Sequence, residues 1–379
     1  MITTRSTVWS TALGLWCLVC LLPGVVSPAG AQDLSVSAVG AFRFSGPDAD
    51  DPRAVAEGIS DISYVGGDQF LVVSDLHARI HRLTIKIERT SGAIVAANFG
   101  SALELTDTLG HNFPEAQQGP DSESIAIDTM AGVVWVTNER AGEDTSRSSI
   151  AAHELATGRM LEFFVFGCHL EAKLFCGTRE NQGLEALAYD SARSLYWTAN
   201  EQALVPDGGP PDLSRGATVR LQQFDAQFHA GLQFVYRTDA LSATTPAEVV
   251  EWGISGLVEL LALPDGNLLA LERATVGDSS GRPTVRVRLY EAELGGATDV
   301  SQVIWRRGLL AAEESPLPVR KRLLIELTGE TGARSNFNFE GMALGPSLAN
   351  GDRSLILIAD NGAGVAQHRY ALRIGSDRD

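Results

Sequence analysis

Residues 185–201, EALAYDSARSLYWTANE, place an acid and a short apolar run before a turn and then a second apolar run that ends on Asn-Glu. Alternating apolar residues around Asp190-Ser191-Ala192-Arg193 read as two antiparallel strands joined by a tight connection. The same form recurs along the chain. Glu57-Gly58-Ile59-Ser60 precedes Phe70-Leu71-Val72-Val73-Ser74-Asp75, and Glu123-Ser124-Ile125-Ala126 precedes Val133-Val134-Trp135-Val136-Thr137-Asn138-Glu139. Ser255-Gly256-Leu257 precedes Asn267-Leu268-Leu269-Ala270-Leu271-Glu272-Arg273. Glu340-Gly341-Met342-Ala343 precedes Leu355-Ile356-Leu357-Ile358-Ala359-Asp360-Asn361.

A unit repeated in one order along a whole chain marks a repeat architecture, and strand pairs without intervening helices mark an all-β one. The expected fold is a β-propeller of antiparallel four-stranded blades with inserted loops. Further strand-like runs at 80–87, 160–166, 217–224, 284–289 and 323–327 supply the outer strands. Starts at 57, 123, 185, 255 and 340 leave the last interval widest, wide enough for a blade whose motif has decayed. Six blades are the expectation, with five or seven also compatible. Polar, Gly- and Pro-bearing stretches at 105–119, 205–215 and 277–282 read as loops within one domain, residues 32–379. Segment 34–44 is expected to pair with the last blade and close the ring.

The first 31 residues belong to targeting. Arg5 precedes the apolar run 11–22, and Ala29-Gly30-Ala31 ends the segment as a cleavage site ahead of Gln32. That run is too short for a permanent membrane span. The mature chain is therefore expected in the periplasm or outside the cell. A formal net charge of −17 argues against nucleic acid or anionic membrane as a partner and is compatible with binding a divalent cation. Cys17 and Cys20 leave with the signal segment. Cys168 and Cys176, the remaining pair, are expected to form a structural disulfide in an oxidising compartment.

Antiparallel pairing sets the start of one strand beside the end of its partner. Glu57 and Asp75 then share one end of their blade, as do Glu123 with Asn138 and Glu139, Glu185 with Asn200 and Glu201, and Glu340 with Asp360. If these strands line the channel, all of these groups meet at one mouth. Oxygen donors of Asp, Glu and Asn select a hard cation, and calcium held by Glu57, Asp75, Glu123, Asn138, Glu185, Asn200, Glu340 and Asp360 is one reading. Structural carboxylates that cap backbone N–H groups of the next blade are the other. Arg140 and Arg273 bring guanidinium groups to the same mouth, either to hold an ester's anionic oxygens or to pair with neighbouring glutamates. No nucleophile elbow, zinc-protease helix or phosphate-binding loop is present.

At these residues the sequence resembles the phytase-like, "esterase-like activity of phytase", family of exported bacterial proteins. The matching pieces are 121–128 (DSESIAID) with 135–139 (WVTNE), 181–188 (NQGLEALA), 254–257 with 269–273, and 339–344 (FEGMAL) with 358–361. The likeness covers roughly residues 50–370, and it is more distantly similar to calcium-dependent propeller hydrolases. It implies a propeller and hydrolysis of a small-molecule ester or phosphoester. On the hydrolase reading of the mouth, Glu185, Arg140 and Arg273 are the expected catalytic residues. The chain departs from the family's usual Glu-Gly at Glu123-Ser124 and Glu185-Ala186, and Ser255 replaces the acid. A non-catalytic propeller binding a ligand or protein at the same mouth is the competing expectation, with a calcium-stabilised envelope protein as a third. A monomer is expected.

Overall fold

In the computed structural model the described residues are 34–45, 57–113, 120–139, 148–166, 177–242, 249–279, 283–302, 308–309, 315–327, 338–360 and 366–376. The predicted signal segment, Arg140 and the Cys168–Cys176 pair lie outside them. Among the described residues no helix is long and apolar enough to cross a membrane.

Among the described residues, twenty strands form five four-stranded antiparallel sheets. The first blade is β2 (Ile59–Gly66), β3 (Gln69–Ser74), β4 (Arg79–Ile87) and β5 (Ile94–Glu104). The second is β6 (Ser122–Asp128), β7 (Val133–Asn138), β8 (Ser149–Glu154) and β9 (Met160–Val165). The third is β10 (Leu184–Asp190), β11 (Leu195–Asn200), β12 (Thr218–Phe224) and β13 (Ala230–Arg237). The fourth is β14 (Trp252–Ala262), β15 (Leu268–Gly277), β16 (Pro283–Glu293) and β17 (Arg320–Glu326). The fifth is β18 (Phe339–Ser347), β19 (Arg353–Ala359), β20 (Ala366–Ser376) and, as its outer strand, β1 (Leu34–Ser45). First strands touch one another in the cycle β2, β6, β10, β14, β18 and back to β2, so they surround the channel.

The described residues form five blades, within the expected range of five to seven but one fewer than the six favoured. The wide interval between 255 and 340 holds the four strands of a single blade, with β16 and β17 joined by a long connection. Closure by the N-terminal segment is as the sequence suggested: β1 pairs antiparallel with β20 from Leu34↔Ser376 to Ser45↔Ala366.

Blades pack face to face, so a strand within a blade is apolar on both sides. Trp135 and Ile150 meet Leu184, Tyr196 and Phe224 between the second and third blades. Trp197 and Tyr236 meet Leu257, Leu268 and Tyr290 between the third and fourth. Equivalent clusters fill the remaining three interfaces. This is why middle strands read as nearly continuous runs such as FLVVS and LILIA. Each fully buried aliphatic or aromatic side chain contributes roughly 1.5–3 kcal/mol, and the five wedges together hold the inner strands in place.

Candidate functional site

Every inner strand carries a bulge at the same step. The register shifts between Ile59 and Asp61, Ser122 and Ile125, Leu184 and Ala186, Leu257 and Glu259, and Phe339 and Gly341. The bulged position is thus Ser60, Glu123, Glu185, Val258 or Glu340 in the successive blades. A bulge re-aims a side chain out of the sheet plane, and three of the five blades place a glutamate there. The partner strands end beside it on Asp75, Glu139, Glu201, Arg273 and Asp360. Asp75, Glu139, Glu201 and Asp360 donate their backbone N–H to Gly58, Asp121, Gly183 and Asn338 respectively, at 2.8–2.9 Å, and Arg273 pairs with Gly256.

This register corrects the sequence alignment at two blades. Ile59-Ser60-Asp61-Ile62 corresponds to Ser122-Glu123-Ser124-Ile125, so Ser60 stands where Glu57 was expected. Glu57 lies before the strand, its carbonyl accepting the Ser74 hydroxyl at 2.7 Å and its carboxylate 3.9 Å from His77 Nε2. In the fourth blade Val258, and not Ser255, holds the equivalent place. Strand alternation also separates Asn138 and Asn200 from the neighbouring glutamates. Asn138 accepts from Ser122 Oγ at 2.9 Å and donates to Ser149 Oγ at 3.2 Å within its own blade. Asn200 is 1% exposed on the corresponding side of β11. The acids brought to the mouth are therefore Asp75, Asp121, Glu123, Glu139, Glu185, Glu201, Glu340 and Asp360. Of these, Asp121, Glu139 and Glu201 were not among the expected ligands, although the Asp-x-Glu leading into β6 and the Asn-Glu that closes β7 and β11 carry the signal of an acid at the mouth.

The ring is electrically lopsided. On one side Arg273 bridges Glu201 Oε1 and Glu340 Oε1, both at 2.9 Å, and donates to Asn338 Oδ1 at 2.8 Å. Asn338 in turn donates to Glu340 and Asp360. On the other side Asp121, Glu123 and Glu139 bring one carboxylate oxygen each within 4.8 Å of one another. Glu139 accepts the Gly183 N–H at 2.6 Å and also hydrogen-bonds Glu185. Burial is the main force on these acids, and their mutual repulsion adds to it. Glu123 is pushed well above the usual carboxylate range by burial and then by Glu139, Asp121, Asp75 and Glu340. Glu185 is raised by burial and by Glu123, Glu139, Glu201 and Glu340. Glu139 and Asp75 are each pushed up to about 7. Glu340 is pushed up to about 8 even against the opposing pull of Arg273.

Such a cluster is stable as carboxylates only with a counter-charge. Its donors are oxygen alone, as a hard divalent cation selects. Asp75, Asp121, Glu123, Glu139 and Glu185 form the half that fits one.

Below the mouth the channel is closed by a second, unanticipated pair. One step past the bulge the blades offer Asp61, Ser124, Ala186, Glu259 and Gly341. Asp61 and Glu259 share a hydrogen bond, and Ser124 Oγ lies 2.9 Å from a carboxyl oxygen of each. Next in every blade comes an inward backbone N–H. Asp61 takes those of Ile62, Ile125 and Met342, and Glu259 takes those of Leu187 and Leu260. Two carboxyls thereby satisfy all five blades. Small residues at the other three positions leave them room, and a Cβ on Gly341 would fall 2.6 Å from Asp61 Cα. Burial pushes Asp61 up to about 6, and burial plus the Asp61 charge push Glu259 well above its usual range, so the pair holds one proton. On the far side lies a cavity of about 530 Å³, lined by Asp61, Glu259, Tyr64, Tyr189, Asp128 and Arg353 among others.

No curated protein matches the sequence. Solved structures similar to the chain include a thermostable family-43 glycoside hydrolase, at 10% identity over 85% of this chain and 94% of that one, with a TM-score of 0.42. The apo soluble aldose sugar dehydrogenase of Escherichia coli is 8% identical over 91% and 100%, with a TM-score of 0.40. A streptogramin B lyase is 8% identical over 89% and 99%, with a TM-score of 0.32. At these values none of them bears on what the mouth does. The sequence itself matches a phytase-like family, described as esterase-like activity of phytase, over residues 55–363, and the chain belongs to that family.

Proposed function

We propose that this chain is an exported hydrolase of phosphate or carboxylate esters that works at the acidic mouth with a bound divalent cation, calcium by the chemistry of its donors. The observation that carries the reading is the convergence of Asp121, Glu123 and Glu139 within 4.8 Å on the half of the ring that Arg273 does not reach. A cation there supplies Lewis-acid polarisation of the ester and a more acidic water. The protein's own groups do the rest. Glu185, where the cation half borders the Arg273 half, has a proton affinity raised by burial and then by its acidic neighbours and is suited to take a proton from the attacking water. Arg273, held by Glu201 and Glu340, stands ready for the negative charge that develops on the ester oxygens. Water adds to phosphorus or the carbonyl carbon, the ester C–O or P–O bond breaks, and the alcohol leaves with a proton. Arg140, assigned beside it from the sequence, lies outside the described residues. Export rests on the apolar run 11–22 and the Ala29-Gly30-Ala31 exit.

The test is turnover and melting temperature with calcium and after chelation. Calcium should raise the melting temperature and support hydrolysis of a generic aryl phosphate or aryl acetate. Chelation should abolish that hydrolysis, and Glu185→Gln should lower kcat by about 100-fold or more. A melting shift without turnover would instead favour a cation-stabilised binding propeller, and no response to calcium would overturn the cation site.

A further inference from the structure

Among the described residues, the fourth blade alone continues its inner pairing well above the mouth. Its pairing continues past Gly256↔Arg273 through Ser255↔Ala274, Ile254↔Thr275 and Gly253↔Val276 to Trp252↔Gly277, and β16 follows alongside to Pro283. In an antiparallel ladder, alternate residues and their cross-strand partners share a face. One face of the extension therefore carries Trp252, Ile254, Thr275, Gly256 and, at its foot, Arg273. The opposite face is buried, with Ser255 5% and Val276 1% exposed. Trp252 and Ile254 are instead 44% and 42% exposed.

The tryptophan is fixed in position. Its indole lies across Gly277, where a Cβ would come within 2.3 Å of the ring, and Nε1 donates to Asp278 O at 3.2 Å. A pinned, exposed aromatic on the same strand face as a half-buried guanidinium is a binding surface with an apolar body and an ionic foot.

The mouth is dominated by carboxylates, and Arg273 ion-pairs with two of them, Glu201 and Glu340. An ester that sets its anionic group at Arg273 and carries an apolar substituent covers Trp252 and Ile254. We infer that the fourth-blade extension is a specificity wall, and that the ligand of this mouth is an ester with an aromatic or bulky aliphatic substituent lying on Trp252 and Ile254. The inference rests on the ester-hydrolase reading for the nature of the head group.

The test is calorimetric binding of phenylphosphonate and methylphosphonate, in calcium, to the full mature chain. Wild type should bind phenylphosphonate about tenfold more tightly, which corresponds to about 1.4 kcal/mol. Trp252→Ala should reduce that preference to less than about threefold. Trp252→Phe should restore most of it, and a matching thermal melt identifies any variant that has failed to fold. Equal affinity of wild type for the two probes, binding of neither, or an undiminished preference in folded Trp252→Ala would each overturn the wall. Neither probe is turned over, so an aryl preference in a protein that hydrolyses no ester would overturn the hydrolase reading and leave the wall standing.

Discussion

Asp61 and Glu259 face each other across the channel from blades that are far apart in sequence, and together they answer for the inward N–H of every blade. Removing one of them and keeping its shape are therefore different experiments. Glu259→Ala would orphan the N–H groups of Leu187 and Leu260, at about 1–3 kcal/mol each. Glu259→Gln keeps a carbonyl for those donors and an amide N–H for Asp61, and should cost much less. Its effect should appear in the pH profile. The native carboxyls titrate above their unfolded values, Asp61 at about 6 against 3.8 and Glu259 well above 4.5. The pair's stabilisation is thus fully present below the unfolded values and is lost as pH rises through about 6 and beyond. Urea unfolding of wild type and Glu259→Gln from pH 4 to 9 should show the wild type losing more stability above pH 6. Parallel profiles would show that the pair does not share a proton. The mouth carboxylates titrate in both proteins, so the difference between the two profiles isolates the plug.

At the level of strands, the decisive feature is the bulge, and its consequence is close approach between neighbouring blades. Gly256 is the clearest case: a Cβ there would fall 2.2 Å from Glu201 Cγ, in the side chain that Arg273 clamps. Gly256→Ala must push Glu201 aside, which should destabilise the fold by about 1–3 kcal/mol and loosen Arg273. Chemical denaturation checks this directly, and an unchanged midpoint would mean that the blade edges are free to separate. The hairpin repeat was legible in the sequence because apolar alternation and turn residues are local signals. Its register was not. Glu57-Gly58-Ile59-Ser60 imitates Glu123-Ser124-Ile125-Ala126 in residue type, but a bulge position is fixed by hydrogen bonds to the partner strand, and Asp61 opposite Val73 decides it. The same limit hid the plug, since nothing local in Asp61 or Glu259 says that they meet. It also swapped Asn138 for Glu139 and Asn200 for Glu201, because the side on which a residue projects depends on the bulge across the ladder.

For the whole molecule the question is how a ring of five wedges stays closed. Successive blades join through the chain, but the last and first are held by packing and by β1, the outer strand of a blade whose other strands lie at the far end of the sequence. The sequence favoured one blade too many within its range of five to seven for a related reason: the long β16–β17 connection imitates a missing blade, and only pairing shows that the ring is already complete. Deleting residues 32–45 would leave β20 as a bare sheet edge, with its ladder groups from Ala366 to Ser376 unpaired. It would also remove Leu34 and Val36 from the cluster between the fourth and fifth blades, and Val39 and Phe42 from the one between the fifth and first. Both interfaces of the closing blade weaken together, so the loss should exceed that from any single core substitution. The truncated chain should melt at a markedly lower temperature and aggregate in a concentration-dependent way, as read by light scattering during a thermal ramp. Adding a synthetic peptide of residues 34–45 should recover part of the lost stability by re-forming the edge. A truncated protein that melts like the full chain and stays monodisperse would show that the five wedges close by packing alone and that β1 only covers an edge.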